Sequence, residues 1–179
     1  MKKLLIIASA AIFFIGCDNK KESKENSEST SSAEKIDYAY LPANHLPDNW
    51  DRGDQKKIAM VLKSLKAFEN GKLEEALAPF ADSVKWSFDG FDAKISKDSL
   101  RSMFKGAWAN MKSMKIEMGD YEAVISKDKK EEYVTLWYKE LITDKAGKTD
   151  STAFVDDLKI DNGKITELDE KTRKYPAKQ

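Results

Sequence analysis

"TAFVDDLKIDNGKITELDE", residues 152–170, decides the fold. Two runs of alternating apolar character flank Asn162-Gly163, and Asn-Gly in that setting is the strongest short-range signal for a two-residue β-hairpin. Alternation then assigns faces. Phe154, Asp156, Leu158 and Ile160 share one, while Ala153, Val155, Asp157 and Lys159 share the other. The first set is the apolar one, so it faces the core, carrying Asp156 inward and leaving Asp157 to water. An inward carboxylate that is ionised and unpaired is costly, so Asp156 must be hydrogen-bonded, paired or protonated.

Working outward, strand-like runs cover 114–125, 131–143, 150–160 and 164–172, with "DKAGK" (144–148) as a further turn. Before them "VKWSFDG" (84–90) alternates Val84, Trp86 and Phe88 against Lys85, Ser87 and Asp89, the pattern of a half-buried strand. A helical period precedes it. Ile58, Val61, Leu62, Leu65 and Phe68 recur at three- and four-residue steps until Asn70-Gly71 stops the run. A second short helix carries Leu73, Leu77 and Phe80. Ser96 caps a third, with Leu100, Phe104, Ala107, Trp108 and Met111 on one face.

Helix, helix, strand, helix and then four consecutive antiparallel strands resembles the NTF2-like (SnoaL-like) superfamily. The resemblance covers about residues 50–172, and its best local matches are "FADSVKW" (80–86) and "LKIDNGKITEL" (158–168). It implies an α+β fold: an NTF2-like cone, three N-terminal helices against a strongly curved, mostly antiparallel sheet around a cavity. A cystatin-like sheet and a generic α+β sandwich fit the same element order.

The resemblance also allows the superfamily's chemistries to be tested residue by residue. Its ketosteroid isomerases place a protonated Asp where Asp156 falls, but they also need a base Asp on the first strand and a Tyr on the first helix. Phe88 stands in the place of that base, Asp89 falls on the opposite face, and residues 55–70 contain no Tyr. The epoxide-hydrolase relatives use an Asp-Arg-Asp cluster, yet Arg101 is the only arginine in the helix–sheet region before Arg173. The dehydratase relatives need paired histidines, and His45 is the chain's single histidine. Ser or Cys relays with His, Gly-rich phosphate loops and acidic metal boxes are absent from the sequence. Asp128, Glu131 and Glu132 sit in a lysine-rich turn and read as solvent charge.

What remains is a cone with aromatic lining: Trp86, Phe88, Trp108, Phe154 and Tyr138, or Trp137 if that neighbour faces in. Plain core packing is the first explanation of such a set, since aromatics dominate most small cores. As a pocket it suits a small apolar or amphipathic ligand with Asp156 as polar anchor. The outward residues Tyr133, Thr135 and Trp137 offer a third use, a sheet face for a homodimer, for which an exposed Trp is the clue.

Towards the N-terminus, residues 37–54 hold Tyr38, Tyr40, Leu41, Leu46 and Trp50 beside two prolines and read as an extended arm laid on the domain of residues 55–175. Residues 18–35 lack any large apolar side chain and read as a flexible linker, which with Cys17 spans residues 17–36. Residues 1–16 read as a signal peptide: Lys2 and Lys3, then Leu4–Ile15, which as a helix rises about 18 Å against a hydrocarbon core of about 30 Å. It ends in "FIGC", which resembles a bacterial lipobox with Cys17 as the lipidated residue, though Phe14 stands where Leu is usual. The charged, Ser-rich segment behind Cys17 resembles the surface-export tags of Bacteroidetes lipoproteins, while Asp18 is an inner-membrane signal under enterobacterial sorting rules.

With 31 basic and 31 acidic side chains, and only three of the bases arginine, no global field points to nucleic acid. One cysteine excludes an internal disulfide and a multi-cysteine metal site. The expectation is a lipid-anchored envelope protein, outer membrane rather than inner. Its domain is non-catalytic, uses no cofactor or metal, and binds a small ligand or a protein partner. The alternative is a weak isomerase- or hydrolase-like enzyme using Asp156.

Overall fold

The computed structural model describes residues 36–42 and 48–175. Cys17, the signal and linker segments and His45 lie outside the described residues. Residues 36–39 belong to a separate unit and carry no helix or strand; the domain is built from Tyr40 onward.

Within the domain ten elements follow in order: β1 (Trp50–Arg52), α1 (Gln55–Glu69), α2 (Leu73–Leu77), β2 (Phe80–Phe88), β3 (Phe91–Ser96), α3 (Lys97–Ala109), β4 (Met111–Ser126), β5 (Glu132–Asp144), β6 (Thr149–Asp161) and β7 (Lys164–Lys174). The strands make one seven-stranded sheet in the order β1-β4-β5-β6-β7-β2-β3. All pairings are antiparallel except β2 with β7, where Trp86 lies opposite Leu168.

Local chemistry accounts for the boundaries. Asp54 caps α1, its carboxylate accepting the Lys56 N–H at 2.8 Å, and Ser96 caps α3 by accepting the Ser99 N–H at 3.1 Å. The Asn162-Gly163 turn has φ of 48° and 74°, the double left-handed geometry of a type I′ turn. Asp89-Gly90 repeats it at 35° and 84° and closes a hairpin between β2 and β3. Strand β3 is therefore a correction to the sequence reading, which ended the strand at that turn. Two further corrections are small: Phe80 begins β2 instead of closing α2, and Met111 begins β4 instead of closing α3.

The 37–54 segment contributes β1 at its end, paired with β4 so that Trp50 lies opposite Ser126. Gly53 holds this edge in place. Its N–H donates to the Ala123 carbonyl at 2.8 Å, and a Cβ there would come within 2.8 Å of the Ala123 Cβ. Tyr40 and Leu41 are exposed. Asp128 is less free than a solvent charge: the Ser126 hydroxyl and the Lys130 N–H both donate to it, and these bonds hold its carboxyl down at about 2.

Among the described residues four register shifts interrupt the sheet, and two of them are single extra residues that matter for the faces. Gly119 is an extra residue in β4, between pairs Met118–Tyr138 and Asp120–Trp137; a second shift in β7 sets Glu167 opposite Lys159 but Ile165 opposite Ile160. The concave face carries Val134, Leu136, Ile165, Leu168 and Val84, closed over by Ile58 and Val61 of α1, Leu77 of α2 and Leu100 of α3. These side chains hold together the fold through burial of apolar surface.

Candidate functional site

The concave face does not close completely. Between it, α1 and α3 lies a cavity of about 280 Å³. Strand parity explains what points into it. On β5 the buried residues are Val134, Leu136, Tyr138 and Glu140, with Trp137 half-buried on the other face. Phe154, Asp156 and Leu158 of β6 line the same wall, as do Leu168 and Glu170 of β7. In register, Asp156 sits opposite Leu136 on one side and Glu170 on the other, and Tyr138 sits opposite Phe154.

Asp156 is 4% exposed. The Tyr138 hydroxyl donates to its Oδ2 at 2.7 Å, while its Oδ1 is buried with no partner among the described residues. Tyr138 in turn stacks on Phe154, with ring centres 5.2 Å apart and planes 8° from parallel. Glu170 accepts from the Trp86 indole N–H at 2.5 Å. Glu140 is 7% exposed.

The wall thus gathers three carboxyls and a phenol in an apolar setting, and their ionisation shifts accordingly. Burial pushes Glu140 up to about 7, helped by the charge of Glu170. Burial does the same to Glu170, to about 7, against the pull of the Trp86 hydrogen bond and with a push from Asp169. Asp156 is raised well above the carboxylate range by burial first and Glu170 next; the Tyr138 bond works the other way. Tyr138 is raised well above its ordinary value by burial and then by Asp156.

The opposite wall is apolar. Val61, Leu65 and Phe68 of α1 and Met103, Phe104 and Ala107 of α3 supply it, with Met111 and Met114 of β4 at the rim. Its one polar side chain, Ser64, donates to the Ala76 carbonyl at 2.5 Å. Among the described residues, no group of three or more acidic, histidine or cysteine side chains is arranged to hold a metal ion.

Of the residues singled out from sequence, the structure brings Asp156, Tyr138, Phe154 and Trp86 to one cavity and leaves two outside it. Phe88 turns to the β2–β3 hairpin, 4.7 Å from Trp86 and 5.2 Å from Phe91 between ring centres. Trp108 ties α3 to the end of α1: its indole N–H donates to the Phe68 carbonyl at 3.0 Å, and its ring leaves room above Gly71 only for a methyl. Trp137 gives way to Tyr138 as the inward residue. Glu140 and Glu170 belong to the site although the sequence reading passed over both. Asp157 lies on the outer sheet face, accepting from the Thr135 hydroxyl at 2.7 Å and from Lys171 at 2.8 Å. On that face Tyr133 packs edge-on against Trp50, with ring centres 5.8 Å apart. Arg101 is on the helical surface, paired with Glu74 and Asp98.

Comparison with known proteins bears on the fold. No protein-family model matches the chain, and no curated protein does. Solved structures do. An NTF2-like protein of unknown function from Burkholderia pseudomallei superposes with a TM-score of 0.54 at 15% identity, covering 65% of this chain and 90% of its own. AusH from Aspergillus nidulans gives 0.56 at 18% identity, covering 69% and 87%. An LEH-like epoxide hydrolase of M. tuberculosis gives 0.54 at 13% identity, covering 66% and 84%. At such identities the likeness is one of fold: this domain is an NTF2-like cone with its helices against a curved, mostly antiparallel sheet.

Proposed function

We propose that the domain binds a small, mainly apolar molecule in the cone cavity, anchored at the Asp156–Tyr138 pair. The observation that carries this reading is Asp156 Oδ1, a carboxylate oxygen buried in the cavity wall without a partner. Buried polar atoms in folded proteins are nearly always satisfied, so an orphan in the wall of a cavity marks where a ligand or water completes the set. A concave apolar chamber with few convergent polar groups is the usual form of a small-molecule site. Native mass spectrometry of the full-length chain tests this. A small molecule retained by the wild type and lost from Asp156→Leu is expected; a chain that carries nothing and responds to no apolar probe overturns the reading.

The alternative is acid–base catalysis in the same chamber, favoured by one observation: Glu140 and Glu170 are both pushed up to about 7, where a carboxyl exchanges protons readily at neutral pH. An epoxide hydrolase shares the fold. Its relatives' arginine-centred cluster has no counterpart here, since Arg101 faces away from the cavity. Turnover abolished by Glu140→Gln with binding retained would mark this second reading as the right one.

For the chain as a whole we propose anchoring to a cell-envelope membrane through lipidated Cys17, in the manner of a Bacteroidetes-type lipoprotein, with the outer membrane as destination and the sheet face available to a second copy. The support is the "FIGC" segment behind a short apolar run. Cys17→Ala is expected to abolish labelling by a fatty-acid probe and to leave an uncleaved precursor; unchanged labelling would remove the anchor.

A further inference from the structure

We propose that the ligand of the cavity is a small apolar amine, bound as its ammonium ion at Asp156 and Glu170, with the charge of Glu140 in the same chamber favouring it. This names a ligand class for the binding reading above and rests on it.

The argument begins with what faces the chamber from each element. From β5 come Tyr138 and Glu140, from β6 Asp156, from β7 Glu170 and from β2 the Trp86 indole. From α1 comes only the Ser64 hydroxyl, already engaged with Ala76, and α3 and β4 give apolar side chains alone. Among the described residues no lysine, arginine or histidine lines the cavity. Behind the wall two more acids act on them: Asp157 on Asp156 and Asp169 on Glu170. The two outer aspartates share Lys171, a counter-charge that no described residue supplies on the inner face. A cluster of one sign, buried without its counter-charge, is what a ligand of the opposite sign completes.

The geometry suits an ammonium group. Such a group has three donors and no acceptor, while an ionised carboxylate only accepts. Among the described residues Asp156 Oδ1 has no partner, and Glu170 spends one oxygen on the Trp86 indole. Asp156 and Glu170 are directly opposed across β6 and β7 and flank one patch of wall, while Glu140, opposite Thr152, lies two inward positions further along β5 than Asp156's partner Leu136 and adds its charge from the same cavity. A hydroxyl offers only one donor to this set, and an anion meets repulsion from each of the acids that is ionised. The aromatic faces of Tyr138, Phe154, Trp86 and Phe104 stand around the same space and favour a cation further. The apolar body of the ligand then rests against α1 and α3.

Binding of a cation stabilises the ionised carboxyls, so protons leave the wall when the amine enters and affinity rises with pH. Three probes of one shape separate the possibilities: 2-phenylethylamine, 2-phenylethanol and 3-phenylpropionate, titrated into the full-length chain in amine-free phosphate buffer. The readout is the Trp86 indole N–H resonance, which reports directly on the Glu170 side of the chamber. The amine is expected to bind roughly tenfold more tightly than the alcohol near neutral pH, and the propionate not to bind. The amine's affinity should increase from about pH 6 to about pH 8 while the alcohol's stays level. Glu140→Gln and Asp156→Asn should each weaken the amine severalfold and leave the alcohol within twofold. An alcohol that binds as tightly as the amine at every pH overturns the amine and leaves the apolar pocket standing. Three silent probes overturn both. Should either variant misfold, the wild-type amine-to-alcohol ratio and its pH dependence decide alone.

Discussion

At the scale of single residues, Asp156 and Asp157 differ by one position and by everything that matters electrostatically. Asp156 is buried with a raised pKa, so the folded state holds its proton more tightly than the unfolded chain, whose Asp titrates at about 3.9. Stability from this group is then fullest below that value and falls as pH rises through the window up to the folded pKa. At pH 7 Asp156→Asn is therefore expected to leave the domain as stable or more so, read as the urea midpoint. Asp157→Asn removes only exposed contacts and should change stability by less than about 0.5 kcal/mol. Tyr138→Phe is the contrasting case: it strips Asp156 Oδ2 of its donor and should destabilise by roughly 1–3 kcal/mol, an effect that Asp156→Leu in the same chain cancels in part. The facing of Asp156 was legible because alternation along β6 is unbroken. Glu140 was equally legible, two residues beyond Tyr138, but only once Tyr138 rather than Trp137 was known to face in. Glu170 was not. The shift in β7 puts Ile165, Leu168 and Glu170 on one face, and strict alternation from Ile165 sends Glu170 outward.

Among elements, α1, α3 and the four long strands were readable because each runs for more than ten residues, and the type I′ turn at Asn162-Gly163 fixes one register outright. Strand β3 was not, since "FDAKIS" alternates over six residues with an interior no more than half buried. Its real signal was Asp89-Gly90, the same turn chemistry in a place where only one flanking strand had been recognised. Strand β1 has no period to read in three residues; it exists because Gly53 lets the chain lie against Ala123. Gly53→Ala should push that edge away and destabilise by roughly 1–3 kcal/mol. Hydrogen exchange would localise the effect: amides of residues 50–53 and of Ala123 are expected to lose protection before those of β5 and β6. Uniform loss across the sheet would mean that β1 supports the whole cone.

For the molecule as a whole, the buried acids imply an unusual pH profile. Glu140 and Glu170 titrate at about 7 in the fold and near 4.5 when unfolded, so both lower stability as pH climbs between those values. The combined effect is on the order of a few kcal/mol, shared because the two carboxyls and Asp156 feel one another. Denaturant midpoints should therefore peak on the acid side of neutrality and decline towards pH 7, and Glu140→Gln should flatten the decline. A midpoint that rises between pH 5 and pH 7, as ordinary paired carboxylates would give, would contradict the buried cluster.

The parallel contact between β2 and β7 has a consequence in time. Trp86 and Leu168 are 82 residues apart in the chain, yet they are neighbours in the sheet. A chain emerging N-terminus first makes β2, β3 and the helices early and then holds an open edge and an uncovered apolar face until its last strand appears. Local hairpins form without delay, but loop closure of that length precedes the contacts that reward it, so completion of the cone is the slow, late event. Truncation anywhere before β7 leaves not a smaller domain but an unsealed one, exposed to pairing with other chains along β2 and β6.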